Sequence, residues 1–331
     1  MTTKPNVAAT LRVPLLGPGG EPVDLWRTLL SHGFHDLPPM RLDEANRTLT
    51  LTVRVPRGGP RRIAIGPGGP RGAASKGVAD RTAGPLHARI DVLGPGSVST
   101  AAVSAIRVAV GRVLRLDQPL AGFYELLEAD PELAWAARGA GRMLASPTVF
   151  EDVVKTICTT NCSWSLTTTM VKALVTHLGD PAAGFSRDPL ANAFPTAAAM
   201  AAQPETFYRE VVRAGYRARY LRDLAEAVAS GDLALEPWAS ATREELSDME
   251  LEAKLLSLPG VGPYAAAHIL MTLGRGSRLI LDSWTRPTYA RLIGRRTPPA
   301  DRTIERRFRR YGDHAGLAFW LFLTRDWDAE G

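Results

Sequence analysis

LLSLPGVGPYAAAHILMTLGRGSRLILDSWTR, residues 255–286, predicts a helix, a tight Pro-Gly-Val-Gly hairpin over Pro259 to Gly262, and a second helix opening at Pro263. A lone acid, Asp282, then follows the apolar run Leu279-Ile280-Leu281. Two glycines one residue apart let the backbone turn through angles closed to other residues, and leave the loop bare enough for another backbone to approach. Pro263 suits the first helical position, where a missing N–H costs nothing. The exposed N–H groups of the loop and of the new helix then point outward together, an arrangement that accepts an anion such as a phosphate. Taken alone, Leu-Pro-Gly-Val-Gly also reads as an ordinary helical hairpin capped by glycine.

Working outward, 331 residues with 45% hydrophobic content can bury a sizeable core and predict two domains in a globular chain. The net charge is +6 and the pI near 9.6. Lysine occurs only at positions 4, 76, 155, 172 and 254, so 35 of the 40 basic side chains are arginine, the one best shaped for bidentate phosphate contacts. An anionic partner, nucleic acid first, and an arginine-rich coding bias explain this equally well. Cys158 and Cys162 are too few for a disulfide framework or a four-thiolate iron–sulfur cluster, and their spacing suits packing. With no apolar run of membrane-spanning length and no basic-then-apolar leader in the first twenty residues, the expected location is the cytoplasm.

The first part of the chain has a period of two. TLTLTVRV (48–55), RRIAIG (61–66) and HARIDVLG (87–94) alternate as half-buried strands do, and the Gly/Pro-rich GPGGPRGAASKG (66–77) reads as a mobile loop between antiparallel strands. Helices are expected at Leu25 to His32 and Ser99 to Leu114. His32 and His35, in a loop without a third ligand nearby, read as structural rather than metal-binding.

Beyond Asp117 the period becomes helical, with segments at Gly122 to Leu127, Pro131 to Gly139, Thr148 to Thr159, Ser165 to Leu178, Pro195 to Ala202, Glu205 to Ala214, Tyr220 to Gly231 and Arg243 to Leu256. The last, Gly312 to Thr324, is apolar enough to be buried or to line a cavity. The expected fold class is α+β, with an N-terminal antiparallel sheet domain with helices over residues 1–116 and an all-α domain over 117–331.

Asp282 lies behind an apolar segment, twenty residues after the phosphate-gripping loop, where it can face the sugar of a strand the hairpin holds. A carboxylate there stabilises positive charge at C1′ or activates water, the two tasks acids perform in glycosidic cleavage. It also suits the N-cap of the segment beginning Ser283-Trp284, and the two roles are compatible.

The LPGVGPYAA hairpin followed by LILDSWTR resembles the helix-hairpin-helix (HhH-GPD) DNA glycosylases over roughly residues 115 to 327, with a match to their N-terminal sheet domain before it. FEDVVKTICTTN (150–161), GYRARY (215–220) and YGDHAGLAFWLF (311–322) resemble stretches of the 8-oxoguanine glycosylases in the same order. The resemblance implies base flipping, cleavage of the N-glycosidic bond in base excision repair of damaged DNA, and Asp282 as the catalytic residue.

Tyr264 departs from part of that family. Bifunctional members carry a lysine two residues after the second hairpin glycine, and a tyrosine cannot form their Schiff base. The resemblance therefore shifts toward the monofunctional alkylpurine (3-methyladenine) enzymes, whose aromatic residue there walls the base pocket. An alkylated purine carries positive charge, so it stacks on electron-rich rings and leaves without a general acid.

On the same resemblance the base pocket comprises Tyr264, His268, Phe319, Trp320, Phe322 and Leu323. Phe319 replaces the amide that reads the base edge in the 8-oxoguanine enzymes. Asn161 plugs the duplex, or else caps the helix from Ser165. Tyr216 and Arg217 lie near the opposite strand, where Leu166 replaces a cytosine-reading arginine. Pro259, Gly260, Val261, Gly262 and Arg286 contact DNA, with the Val261 and Gly262 amides on a phosphate.

The expectation is thus a hydrolase that acts as a monomer on double-stranded DNA, without a cofactor apart from a monovalent Na+ or K+ that the family places on the hairpin carbonyls. Which base is released stays open. An oxidised-purine glycosylase using Lys155 or Lys254, and a non-catalytic binder of damaged DNA, are the alternatives.

Overall fold

The computed structural model describes residues 6–68 and 86–327; residues 69–77 of the expected Gly/Pro-rich loop lie outside the described residues. Five strands, β1 (Val7–Pro14), β2 (Arg41–Asp43), β3 (Thr48–Val55), β4 (Gly59–Pro67) and β5 (His87–Leu93), form one antiparallel sheet in the order β1-β5-β4-β3-β2. Alternation in β3 puts Leu49, Leu51, Val53 and Val55 in the core with Ile63, Ile65, Ile90 and Val92. The sequence predicts β3, β4 and β5 and misses the other two. β2 has three residues, and β1 buries only Leu11 and Val13, too few for a pattern.

Helix α1 (Leu25–Leu29) and the longer α2 (Thr100–Val113) pack into this core. In α2, Ala102, Ile106, Val110 and Val113 recur at helical spacing on the buried face, and Ser99 caps it by accepting from the Ala102 amide.

The rest of the described chain is helical, as its period predicts: α3 (Ala121–Glu128), α4 (Val149–Thr159), α5 (Trp164–Leu178), α6 (Ala197–Ala201), α7 (Arg217–Ser230), α8 (Asp248–Leu256), α9 (Pro263–Thr272), α10 (Thr285–Leu292), α11 (Asp301–Phe308) and α12 (Ala315–Thr324). Three expected helices change. Pro131 to Gly139 holds a 3-10 turn at Ala134–Arg138, Glu205 to Ala214 a π-turn at Phe207–Val211, and α8 starts later than Arg243 because Ser247 and Glu250 form a capping box.

Two apolar cores flank α9, one with α4, α5, α7 and α8, the other with α3, α10, α11 and α12; Tyr264 packs against both. The sheet and helical parts interlock. Phe34 and Leu37 enter a helical core, while Leu144 enters the core beneath the sheet.

Candidate active site

The hairpin forms between α8 and α9. Gly260 sits at φ +77, and a Cβ there would come 2.7 Å from the Tyr220 ring, so both conformation and space require glycine. Val261 turns its side chain into the core, and its N–H donates to Leu258 O at 3.2 Å. This corrects the expectation for Val261: its amide closes the turn, which leaves Gly262 and the first turn of α9 to present outward donors. Gly262 is exposed, a Cβ on it would meet nothing within 4 Å, and no side chain caps α9. A helix start of ten residues with unmet amides beside bare backbone suits an anion.

Asp282 is held at the entry to α10. Its Oδ1 accepts from the amides of Trp284 (2.8 Å) and Thr285 (2.7 Å), while its own N–H donates to Thr285 Oγ1 (2.8 Å). The capping role is therefore real, and it immobilises the acid. Among the described residues nothing bonds Oδ2, so one oxygen anchors the carboxylate and the other remains available to a ligand.

Tyr264 and His268 stand within electrostatic reach of Asp282. Burial raises the Tyr264 phenol, and the Asp282 charge adds to the rise. Burial pushes His268 down to about 4, with Asp282 pulling weakly the other way. The rings of Tyr264 and His268 are 6.3 Å apart, Tyr264 Oη lies 3.5 Å from Thr159 Oγ1, and His268 Nδ1 lies 3.4 Å from Thr156 Oγ1.

Behind them the N-terminal part contributes two rings that the sequence did not connect with the site, Phe34 at 5.0 Å and His32 at 5.3 Å from His268. His32 Nε2 lies 2.6 Å from the Leu144 carbonyl, and burial drives its pKa well below that of free histidine, with His268 adding to the fall. Their separation in sequence, from residue 32 to residue 268, hid the pairing.

The His268 shift sets an expected stability difference. The folded state resists a proton that the unfolded chain accepts, so the His268 contribution is complete above about pH 6.5 and is lost progressively down to about 4. Against a His268→Gln variant, wild type should lose about 2 kcal/mol more between pH ~7 and pH ~5 in urea melts. Groups shared by the two proteins cancel in the comparison, apart from His32, whose pKa His268 helps to lower, and parallel losses would contradict the assignment.

At the turn after α4, Asn161 takes a left-handed conformation (φ 44), is exposed, and donates from Nδ2 to Tyr216 Oη at 3.4 Å. Ser163, not Asn161, caps α5. Arg217 is corrected. It is 3% exposed, its guanidinium donates to the Thr160 carbonyl and hydroxyl, and it stacks on Tyr216 at 4.5 Å, so it supports the turn instead of reaching outward. Arg286 is likewise engaged, by a bidentate pair with Asp301 at 2.8 Å.

The last helix is apolar on every face, and its side chains diverge. Phe319 and Phe322 share the face packed on Tyr289 and Phe308 and are fully buried in the core. Leu323 is also buried. Trp320 turns the other way, donates its indole N–H to Ser31 O at 2.7 Å, and lies 5.7 Å from Trp284, which the sequence did not single out. The larger described cavity, of about 300 Å³, lies between the sheet and α4 beside Arg54, Glu151 and Phe194, and no member of the Asp282 group lines it.

No family model matches the sequence, and no curated protein matches it. Among solved structures, the fold is that of the HhH-GPD-type DNA glycosylases. The 3-methyladenine DNA glycosylase of Archaeoglobus fulgidus matches at 19% identity and TM-score 0.66, covering 95% of this chain and 98% of that one. The 8-oxoguanine glycosylase/lyase of Clostridium acetobutylicum matches at 18% and 0.65, covering 97% and 96%. MBOgg1, solved with a low-affinity DNA ligand, matches at 19% and 0.66, covering 98% and 100%.

Proposed function

We propose that this protein is a monofunctional DNA glycosylase that extrudes a damaged purine, alkylated by preference, from duplex DNA and hydrolyses its N-glycosidic bond. The observation that carries this reading is Asp282, with Oδ1 fixed by two amides and Oδ2 open, within electrostatic reach of Tyr264 and His268. The Gly262 amide and the start of α9 hold a phosphate; the exposed Asn161, braced by Tyr216, fills the space the base leaves. A monovalent cation on the hairpin is compatible with the turn, because the Val261 carbonyl accepts no hydrogen bond among the described residues.

As the C1′–N bond breaks, its electron pair leaves with the base, and a cationic base departs neutral. Asp282 stabilises the charge that develops on the sugar, and its carboxylate takes the proton lost by the water that adds to C1′. His32 and His268 favour a cationic base, since burial keeps both imidazoles neutral and removes a repulsion that protonated rings would impose.

Absence of lyase chemistry is supported by two features. Tyr264 stands where bifunctional relatives carry lysine, and Lys155 is fully buried in an ion pair with Glu151 at 2.6 Å. Duplexes with methylated, deaminated or oxidised bases, scored for abasic product and for borohydride-trapped adduct, test the reading. Abasic product from a methylated purine without an adduct is expected. Strand cleavage and trapping on 8-oxoguanine would replace it with the oxidised-purine reading, and binding without release of any base would leave a binder.

A further inference from the structure

Residues 291–310 hold eight arginines and two acids. Arg291, Arg295, Arg296, Arg302, Arg306 and Arg309 are exposed, and none of them has an ion-pair or hydrogen-bond partner for its guanidinium among the described residues. This differs from the treatment of exposed arginine on α7 and near α9, where Arg219 pairs with Asp223 and Arg278 with Glu252. In this stretch Asp301 is occupied by Arg286, which leaves Glu305 as the one nearby acid without a partner among the described residues.

Helix α11 sorts its charges. Arg302, Arg306 and Arg309 recur at i, i+4 and i+7 and share the outer face, while Ile304 and Phe308 fill the opposite one. The stripe runs about 10 Å along the helix, long enough to meet successive phosphates of one strand. It is tied to the candidate site: the Arg286–Asp301 pair joins the first turn of α11 to the first turn of α10, which begins three residues after Asp282.

We propose that this stripe, together with the exposed Arg295 and Arg296 in the segment before it, is a second DNA contact, which holds the phosphate backbone of the duplex beyond the nucleotides gripped by the hairpin and contributes affinity without regard to sequence or damage. It rests on the reading of the protein as one that binds DNA, but not on catalysis. Arginine suits the task because it keeps its charge and meets phosphate through two N–H groups. Counterion release then makes binding steeply salt-dependent.

The test uses the full chain and an undamaged duplex long enough to extend past the hairpin contact. Binding is followed by fluorescence anisotropy from about 50 to about 200 mM salt. The variant Arg295→Gln/Arg296→Gln/Arg302→Gln/Arg306→Gln should flatten the slope of log affinity against log salt by about 3–4. Its thermal melt should match wild type. A charge-matched control, Arg12→Gln/Arg41→Gln/Arg57→Gln/Arg187→Gln, should leave the slope close to wild type. An unchanged slope in the first variant, which would assign the stripe to an acidic protein surface or to solvent, overturns the proposal; so does an equal loss in the control, which would reduce the effect to net charge. Because the duplex is undamaged, neither result depends on base release.

Discussion

Asp282→Asn is expected to lower base release by about 10²–10⁴-fold under single-turnover conditions while leaving DNA affinity within about twofold of wild type. The substitution isolates charge from geometry. Asparagine caps helices as well as aspartate does, and its Oδ1 can still accept from the Trp284 and Thr285 amides, so the entry to α10 should persist. What disappears is the negative charge at Oδ2, which in the proposed mechanism faces the positive charge that develops on the sugar. Asp282→Ala would confuse the two effects, since losing the cap itself costs about 1 kcal/mol. Release by the asparagine variant at the wild-type rate would sink the mechanism and leave Asp282 as a cap alone.

The largest expected stability loss lies away from the site, at Arg142. Its side chain is fully buried and donates to the carbonyls of Arg115 and Gln118 and, at 2.8 Å, to Glu21 Oε1. Glu21 in turn accepts from the amides of Leu120 and Gly19 at 2.8 Å. This one ion pair therefore ties the loop after β1, the connection between α2 and α3, and the segment before α4. Removing either partner strands the other charge in the interior, so Glu21→Ala and Arg142→Ala should each cost about 3–5 kcal/mol in denaturant melts. Replacing both, as Glu21→Leu/Arg142→Met, should recover much of that loss, because well-packed apolar groups substitute for a buried pair at little net cost. A single-variant loss below about 1 kcal/mol would show that water reaches the stranded charge.

Local physics explains what was legible. β3, β4 and β5 announce themselves because every second residue faces the core, and the hairpin is readable because only glycine fits at 260 beside Tyr220. Asp282 was legible as a cap from residues within a few positions, and as the candidate acid from its place after the hairpin and from the family resemblance. Errors began where two side chains had to be oriented against partners far away in the chain. Arg217 is expected near the opposite strand, yet it is buried and Thr160 captures it; Phe319 reads as a pocket wall, yet one residue of helical rotation decides that Trp320 meets Trp284 and Phe319 meets Phe308.

The sequence by itself determined three of the five strands, the helical character of the rest, the glycine hairpin, the placement of one acid after it and the absence of a lysine at Tyr264, because these follow from periodicity and from backbone constraints that act locally. Tertiary structure alone decided which amide of the hairpin is free, that His32 and Phe34 of the N-terminal part stand behind His268, and that Arg286 reaches Asp301. Those depend on packing between segments far apart in the chain, where burial and hydrogen-bond partners select among orientations that the sequence leaves open.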